Sequence, residues 1–183
     1  MKEISLNILD IAQNSVKAGA TLVEIKIDED DMTLAFEITD NGCGMTKEFL
    51  DRVTDPFTTT RKTRSIGLGL PLLKMEAEMT GGSFSISSKS ETEYADHGTT
   101  VKATFLKDSI DYIPLGDIIG TVCILIQGAD SIDFSFEHKI NENTVSLKTS
   151  EMRQMLGDDV PLSDAEVIAW VREYLNDCYA ESK

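Results

Sequence analysis

The chain has 183 residues, with 32 Asp and Glu against 17 Lys and Arg, and a net charge of −15. A phosphate backbone needs a basic face, so this balance excludes DNA and RNA from the expected ligands. Hydrophobic residues make up 41% and charged residues 27%, as in a globular domain, and no run approaches the roughly 18 apolar residues of a membrane helix.

In chain order, ISLNILDIAQNSVKA (4–18) predicts a helix with Ile4, Ile8, Ile11, Ala12 and Ser15 on one stripe, and Gly19 suits its end. Charged Asp10 comes too early for a signal peptide, which places the expected location in the cytoplasm. TLVEIKI (21–27) and MTLAFEI (32–38) read as strands joined by the polar turn DEDD. The loop DNGCGM follows, then a short helix around Lys47–Val53. A second long helix carries Pro71 in its first turn, where the missing N–H is tolerated, and closes at Gly81 and Gly82. SFSISSK (83–89) and TTVKATF (99–105) are two more strands.

After about Asp108 the pattern changes. DIIGTVCILIQ (117–127), SIDFSFEH (131–138) and NTVSLKT (143–149) read as three strands, and a short helix near Glu151–Leu156 ends at Gly157. A last helix starts at Ser163, with Glu166 at the capping-box spacing, and Val167, Ile168, Val171, Tyr174, Leu175 and Cys178 form its apolar face. The expected division is 1–108 and 109–183, the second part either extending the sheet or forming a small α/β appendage. Cys43, Cys123 and Cys178 are an odd, widely spaced set without a metal pattern, so reduced thiols are expected.

Pro56 to Met75, PFTTTRKTRSIGLGLPLLKM, contains no acidic residue, although 32 acids in 183 residues predict about 3.5 in such a window of 20. It holds Arg61, Lys62, Arg64 and Lys74, and Gly67-Leu68-Gly69 leads into the second long helix. A glycine loop at a helix N-terminus presents free N–H groups to phosphates, and the upstream cations can close over them. An ordinary surface loop fits that window equally well. Asp40-Asn41-Gly42-Cys43-Gly44 offers a carboxylate for an exocyclic amine and glycines that leave room for a flat ring, or else a hairpin turn. Asp10 and Asn14, four apart, share a helix face: an amide oxygen for Mg²⁺ and a carboxylate for a proton, or two solvated polar groups.

Taken together, Asn14 on the first helix, Asp40-x-Gly-x-Gly after a strand, Gly67-Leu-Gly69-Leu opening a helix and Gly98-Thr99-Thr100 entering a strand resemble the GHKL ATPase superfamily. It includes gyrase-type topoisomerases, heat-shock chaperones, histidine-kinase catalytic domains, anti-sigma-factor kinases and mismatch-repair ATPases. LDIAQNSVKAGAT is similar to the mismatch-repair and chaperone form, whereas PFTTTR and GLGLPLLK are similar to histidine kinases. The likeness spans residues 4–106. It implies a two-layer α/β sandwich, the Bergerat-type ATP-binding fold, with helices on one face of a mixed sheet.

The resemblance also implies roles. Asn14 would hold Mg²⁺, and Asp40 would take the adenine amino group with Gly42 and Gly44 shaping the base pocket. Thr99 or Thr100 would support adenine through water. Gly67, Leu68 and Gly69 would line the phosphates of ATP. Residues 46–66 would form a lid, with Arg61 where the family often has Lys after paired threonines. Two departures qualify this. Hydrolytic members have Glu where this chain has Asp10, one methylene shorter, which implies slow hydrolysis with Asp10 as the candidate base. Thirteen residues precede Asn14, none of them His, so the expected activity is phosphorylation of Ser or Thr on a partner in trans, as in the anti-sigma kinases. The alternative is a switch module in which ATP controls partner binding. A protein partner is expected on 109–183, and a homodimer is left open.

Overall fold

In the computed structural model, residues 3–53, 69–157 and 159–182 are described. The first helix, α1 (Ile4–Lys17), buries Ile4, Ile8, Ile11, Ala12 and Ser15, the stripe its spacing predicts. Its N-cap, Glu3, makes no side-chain cap; instead the N–H groups of Ile4 and Ser5 donate to the carbonyls of Pro114 and Leu115 at 3.0 and 2.8 Å. Backbone donors that a Ser or Asp cap would have satisfied are thus taken by the connection after residue 108.

The strands β1 (Leu22–Glu29), β2 (Thr33–Asp40), β3 (Ser83–Lys89), β4 (Gly98–Leu106), β5 (Asp133–Ile140) and β6 (Asn143–Lys148) form one sheet in the order β3-β4-β2-β1-β5-β6. β5 runs parallel to β1 and the other pairings are antiparallel, so the sheet is mixed, as expected. Register sets the core face. Ile25 lies opposite both Ile38 and Phe136, and Ile38 opposite Val101, all of them buried. Each such side chain contributes about 1.5–3 kcal/mol on burial. The alternate residues form a polar face, where Lys102 pairs with Glu37.

Among the described residues, the helices lie on the core face of the sheet. After α2 (Lys47–Val53) comes α3 (Gly69–Met79), and α1 lies between α3 and α4 (Ile118–Gly128). The expected strand at 117–127 is therefore corrected to a helix. Its run of Ile, Val and Thr reads as a strand because it is apolar all round. It is apolar all round because α1 packs on one side and α6 (Ala165–Glu181) on another. Asp117 fixes its start by accepting from the Gly120 N–H at 2.7 Å. α5 (Thr149–Leu156) follows β6, and α6 is capped by Asp164, which accepts from the Glu166 N–H at 2.8 Å, one residue later than the expected Ser163. Residues 109–183 extend the main sheet rather than forming an appendage: one apolar core runs from Ile4 to Leu175.

A polar chain ties this extension to β1. Tyr179 on α6 donates its O–H to His138 Nδ1 at 2.7 Å, and His138 donates from Nε2 to Glu29 at 3.2 Å. Lys107 lies 2.6 Å from the same carboxylate. The hydrogen bond from His138, then those from Lys107, outweigh burial and lower the Glu29 pKa from 4.5 to about 2. Because the folded value lies below the unfolded one, this stability is complete above pH 4.5 and is lost as pH falls toward 2. Solvent screening at this rim leaves about 1 kcal/mol of it. In urea titrations the stability gap between wild type and Glu29→Gln should shrink through that window; a gap independent of pH would contradict the pairing.

Candidate functional site

A cavity of about 530 Å³ opens between the C-terminal half of α1, the end of β2 and the segment leading into α2. Its floor and sides are apolar, with Ile11, Ile38, Ile86 and Val101 among them, the lining a flat aromatic ring requires, and its size suits a small-molecule ligand. Asn14, Ser15, Asp40 and Thr99 supply polar groups.

Asp40 is held from two sides. Ser15, 4% exposed, donates its O–H to Oδ2 at 2.6 Å, and the Gly42 N–H donates to Oδ1 at 2.9 Å. Each carboxylate oxygen has two acceptor sites, so one remains on each after these bonds. The carboxylate is thus fixed in orientation while keeping acceptor capacity toward the cavity it lines.

The loop after Asp40 is not a hairpin turn, since β2 continues into α2. Asn41 ties it to the α1–β1 connection, its Oδ1 accepting from the N–H groups of Thr21 and Leu22 at 2.8 and 3.0 Å. The Cys43 N–H donates to the Ala18 carbonyl at 2.9 Å, closing the loop onto the end of α1. Glycine is needed twice. A Cβ at Gly42 would stand 2.9 Å from the Cβ of Ala18, and one at Gly44 would stand 1.8 Å from the Lys89 carbonyl oxygen. His97 completes the frame: its Nδ1 lies at hydrogen-bond distance from the Gly42 carbonyl, which can only accept, so the ring carries its proton there.

The sequence-predicted residues divide into three groups. Asn14, Asp40, Gly44 and Thr99 line the cavity, with Gly42 buried directly behind Asp40. Thr100 does not line it: its hydroxyl lies 3.1 Å from that of Thr39, on the opposite face of the sheet from Ile38 and Val101. Thr99 is hydrogen-bonded to Ser88 at 2.8 Å. Asp10 also stands outside the lining. Its carboxylate packs against Gly69 at the start of α3, where a Cβ would come within 1.7 Å of Oδ2. Arg61, Gly67 and Leu68, with most of the acid-free window, lie outside the described residues.

Two contributors carry almost no sequence signal. Ser15 reads as part of the apolar stripe, and the one signal is a hydroxyl in a row of Ile and Ala. His97 stands immediately before Gly98, but nothing in the sequence places it against Gly42.

Comparison with known proteins bears on the family and the fold. A family model described as histidine kinase-, DNA gyrase B-, and HSP90-like ATPase matches residues 2–109, more than half of the chain. The sensor protein KdpD of Clostridium acetobutylicum is 32% identical over 94 residues, covering 49% of this chain and 10% of that protein. Sporulation kinase A of Bacillus subtilis is 32% identical over 107 residues, 58% of this chain and 16% of that one. The chain therefore spans only a small part of these relatives. Among solved structures, the Aquifex aeolicus MutL ATPase domain complexed with ADP superposes with a TM-score of 0.56 at 16% identity, covering 85% of this chain and 68% of that one. That coverage takes in part of the chain after residue 109, so the shared fold includes some of the extension.

Proposed function

Because the chain belongs to the histidine kinase-, DNA gyrase B-, and HSP90-like ATPase family, whose domains bind ATP, we propose that its cavity holds ATP as phosphoryl donor to a Ser or Thr of a regulatory partner. The observation that carries the nucleotide site is Asp40, oriented by Ser15 and Gly42 in a largely apolar cavity. An adenine amine donates to such a carboxylate, whereas the guanine carbonyl at the same position is repelled.

The residues present fit Mg²⁺ as the nucleotide's companion. Asn14 offers an amide oxygen in the cavity, and no cluster of three or more His, Cys, Asp or Glu among the described residues would hold the ion alone. Mg²⁺ characteristically takes one or two protein oxygens and completes its shell with phosphates and water, and bound there it neutralises phosphate charge. Transfer would break the bond between the γ-phosphorus and the bridging oxygen of ADP and form one to the partner's hydroxyl oxygen. The hydroxyl proton would pass to solvent.

Transfer in trans is favoured because both histidines are engaged in holding the fold. His138 is 1% exposed between Tyr179 and Glu29, and His97 is bonded to Gly42. A cytoplasmic location goes with this reading; among the described residues no helix is long and apolar enough to cross a membrane. A second reading, an ATP-controlled binding module, is favoured by the packing of α1, which carries Asp10 and Asn14, against α4 of the extension. The two are separated by incubating the protein with γ-labelled ATP and a lysate of its host. Label on Ser or Thr that disappears with Asp40→Asn supports the kinase. An ATP-dependent change in partner affinity without label supports the switch.

A further inference from the structure

The last helix has two faces of opposite character. Val167, Val171 and Leu175 enter the core, while Glu166, Trp170, Glu173, Tyr174 and Asp177 form an exposed stripe three to four residues apart. Trp170 is 47% and Tyr174 37% exposed, and their rings stack with centroids 5.3 Å apart at 14°. Tyr174 donates its O–H to the Ser146 carbonyl on β6 at 3.4 Å, so the pair lies where α6 meets the edge of the sheet. The Tyr174 phenol is pushed up by its bond with Cys178, by burial and by the charges of Cys178 and Glu151. Lys148, on the same edge, is 3.4 Å from Glu151.

Charge decides what this surface fits. A second copy would set the same carboxylates against themselves on chains of net charge −15, and a nucleic acid would be repelled. A wholly apolar partner would strip water from Glu166, Glu173 and Asp177 without replacing it. A cation over the face of a tryptophan is attracted by the ring quadrupole, and the flanking acids can pair with its neighbours. We propose that the Glu166–Trp170–Glu173–Tyr174–Asp177 stripe docks a Lys- or Arg-bearing segment of a partner protein. The guanidinium or ammonium group lies over the aromatic pair. Docking requires neither nucleotide nor phosphoryl transfer, so it stands or falls apart from the function proposed above. β6 is three strands removed from β2, which carries Asp40, so an occupant leaves the cavity open.

Trp170 is the chain's one tryptophan, so its emission reports on the site directly. The probes are a capped hexapeptide of alternating Arg and Leu and its Glu–Leu counterpart, titrated into the full chain without nucleotide. The Arg peptide should change Trp170 emission saturably and the Glu peptide should not. Glu166→Gln/Glu173→Gln/Asp177→Asn should weaken binding by about tenfold or more. A control of equal charge change at exposed, distant acids, Asp28→Asn/Asp31→Asn/Glu93→Gln, should stay within about twofold. Equal weakening by both triple variants would reduce the effect to general attraction and overturn the proposal. So would a response to neither peptide, or a dimer in sedimentation that Trp170→Ala dissolves.

Discussion

Asp40→Asn should raise the dissociation constant for ATP by about 10- to 100-fold, measured by calorimetry with excess Mg²⁺. A hydrogen bond to a charged group is worth about 1.5–3 kcal/mol, and 1.4 kcal/mol is tenfold. The direction follows from the carboxylate's two fixed partners. The Gly42 N–H can only donate, so the amide oxygen of the variant side chain would have to face it, while the amide nitrogen faces Ser15, whose hydroxyl can turn to accept. On the Ser15 side, at the former Oδ2, the group then presented to an adenine amine is a donor facing a donor. The fold itself should barely change, because both internal bonds survive. ATP at a hundredfold excess over its dissociation constant should add about 2.7 kcal/mol to wild-type stability, and the variant should lose about half of that gain or more at the same concentration. The same reversal predicts a narrower preference for ATP over GTP. Undiminished affinity in a folded variant would mean that the adenine amine does not meet Asp40.

What the sequence reveals follows from where local signals outweigh packing. α1, the hairpin of β1 and β2, α2 and the alternation in β5 each carry their own periodicity, and each stands close to where that periodicity predicts. α4 reads as a strand because its helical period is erased: with α1 and α6 on two sides, apolar residues are favoured on nearly every face. The parallel pairing of β5 with β1 is equally hidden, since it depends on α4 crossing over two intervening strands. At the site, Asp40 and its glycines are visible because their residue types are costly elsewhere. The choice between Thr99 and Thr100 is not, because adjacent strand residues point to opposite faces and only the Thr39–Thr100 register fixes which one meets the cavity. Spacing from Asn14 places Asp10 on the same helix face, but its contact with Gly69 depends on how α3 approaches α1.

Gly44→Ala should destabilise the fold by about 2–5 kcal/mol, lowering the melting temperature by roughly 4–20 °C, and should weaken ATP binding as well. Two effects combine there. The backbone has φ +65, which a Cβ disfavours, and that Cβ would stand 1.8 Å from the Lys89 carbonyl oxygen. That oxygen belongs to backbone, so the loop must move away from β3. It is held there by the Glu91 N–H donating to the Cys43 carbonyl at 2.8 Å and by the Met45 N–H donating to Ser88 Oγ at 2.8 Å. Cys43, Gly44 and Met45 all line the cavity, so the displacement reaches the ligand as well as the fold. Gly157→Ala isolates the first effect. Its φ is +77 and ψ 170, a region almost reserved for glycine, with nothing within 4 Å, far along the chain at the end of α5, so it should lose only the conformational part, about 1–3 kcal/mol, and leave ATP affinity unchanged. Measured side by side in urea, the excess loss in Gly44→Ala is the steric contribution of the loop's approach to β3. If the two variants lose equal stability, that approach is not what holds the Asp40 loop in place, and Asn41 with its bonds to Thr21 and Leu22 becomes the principal support.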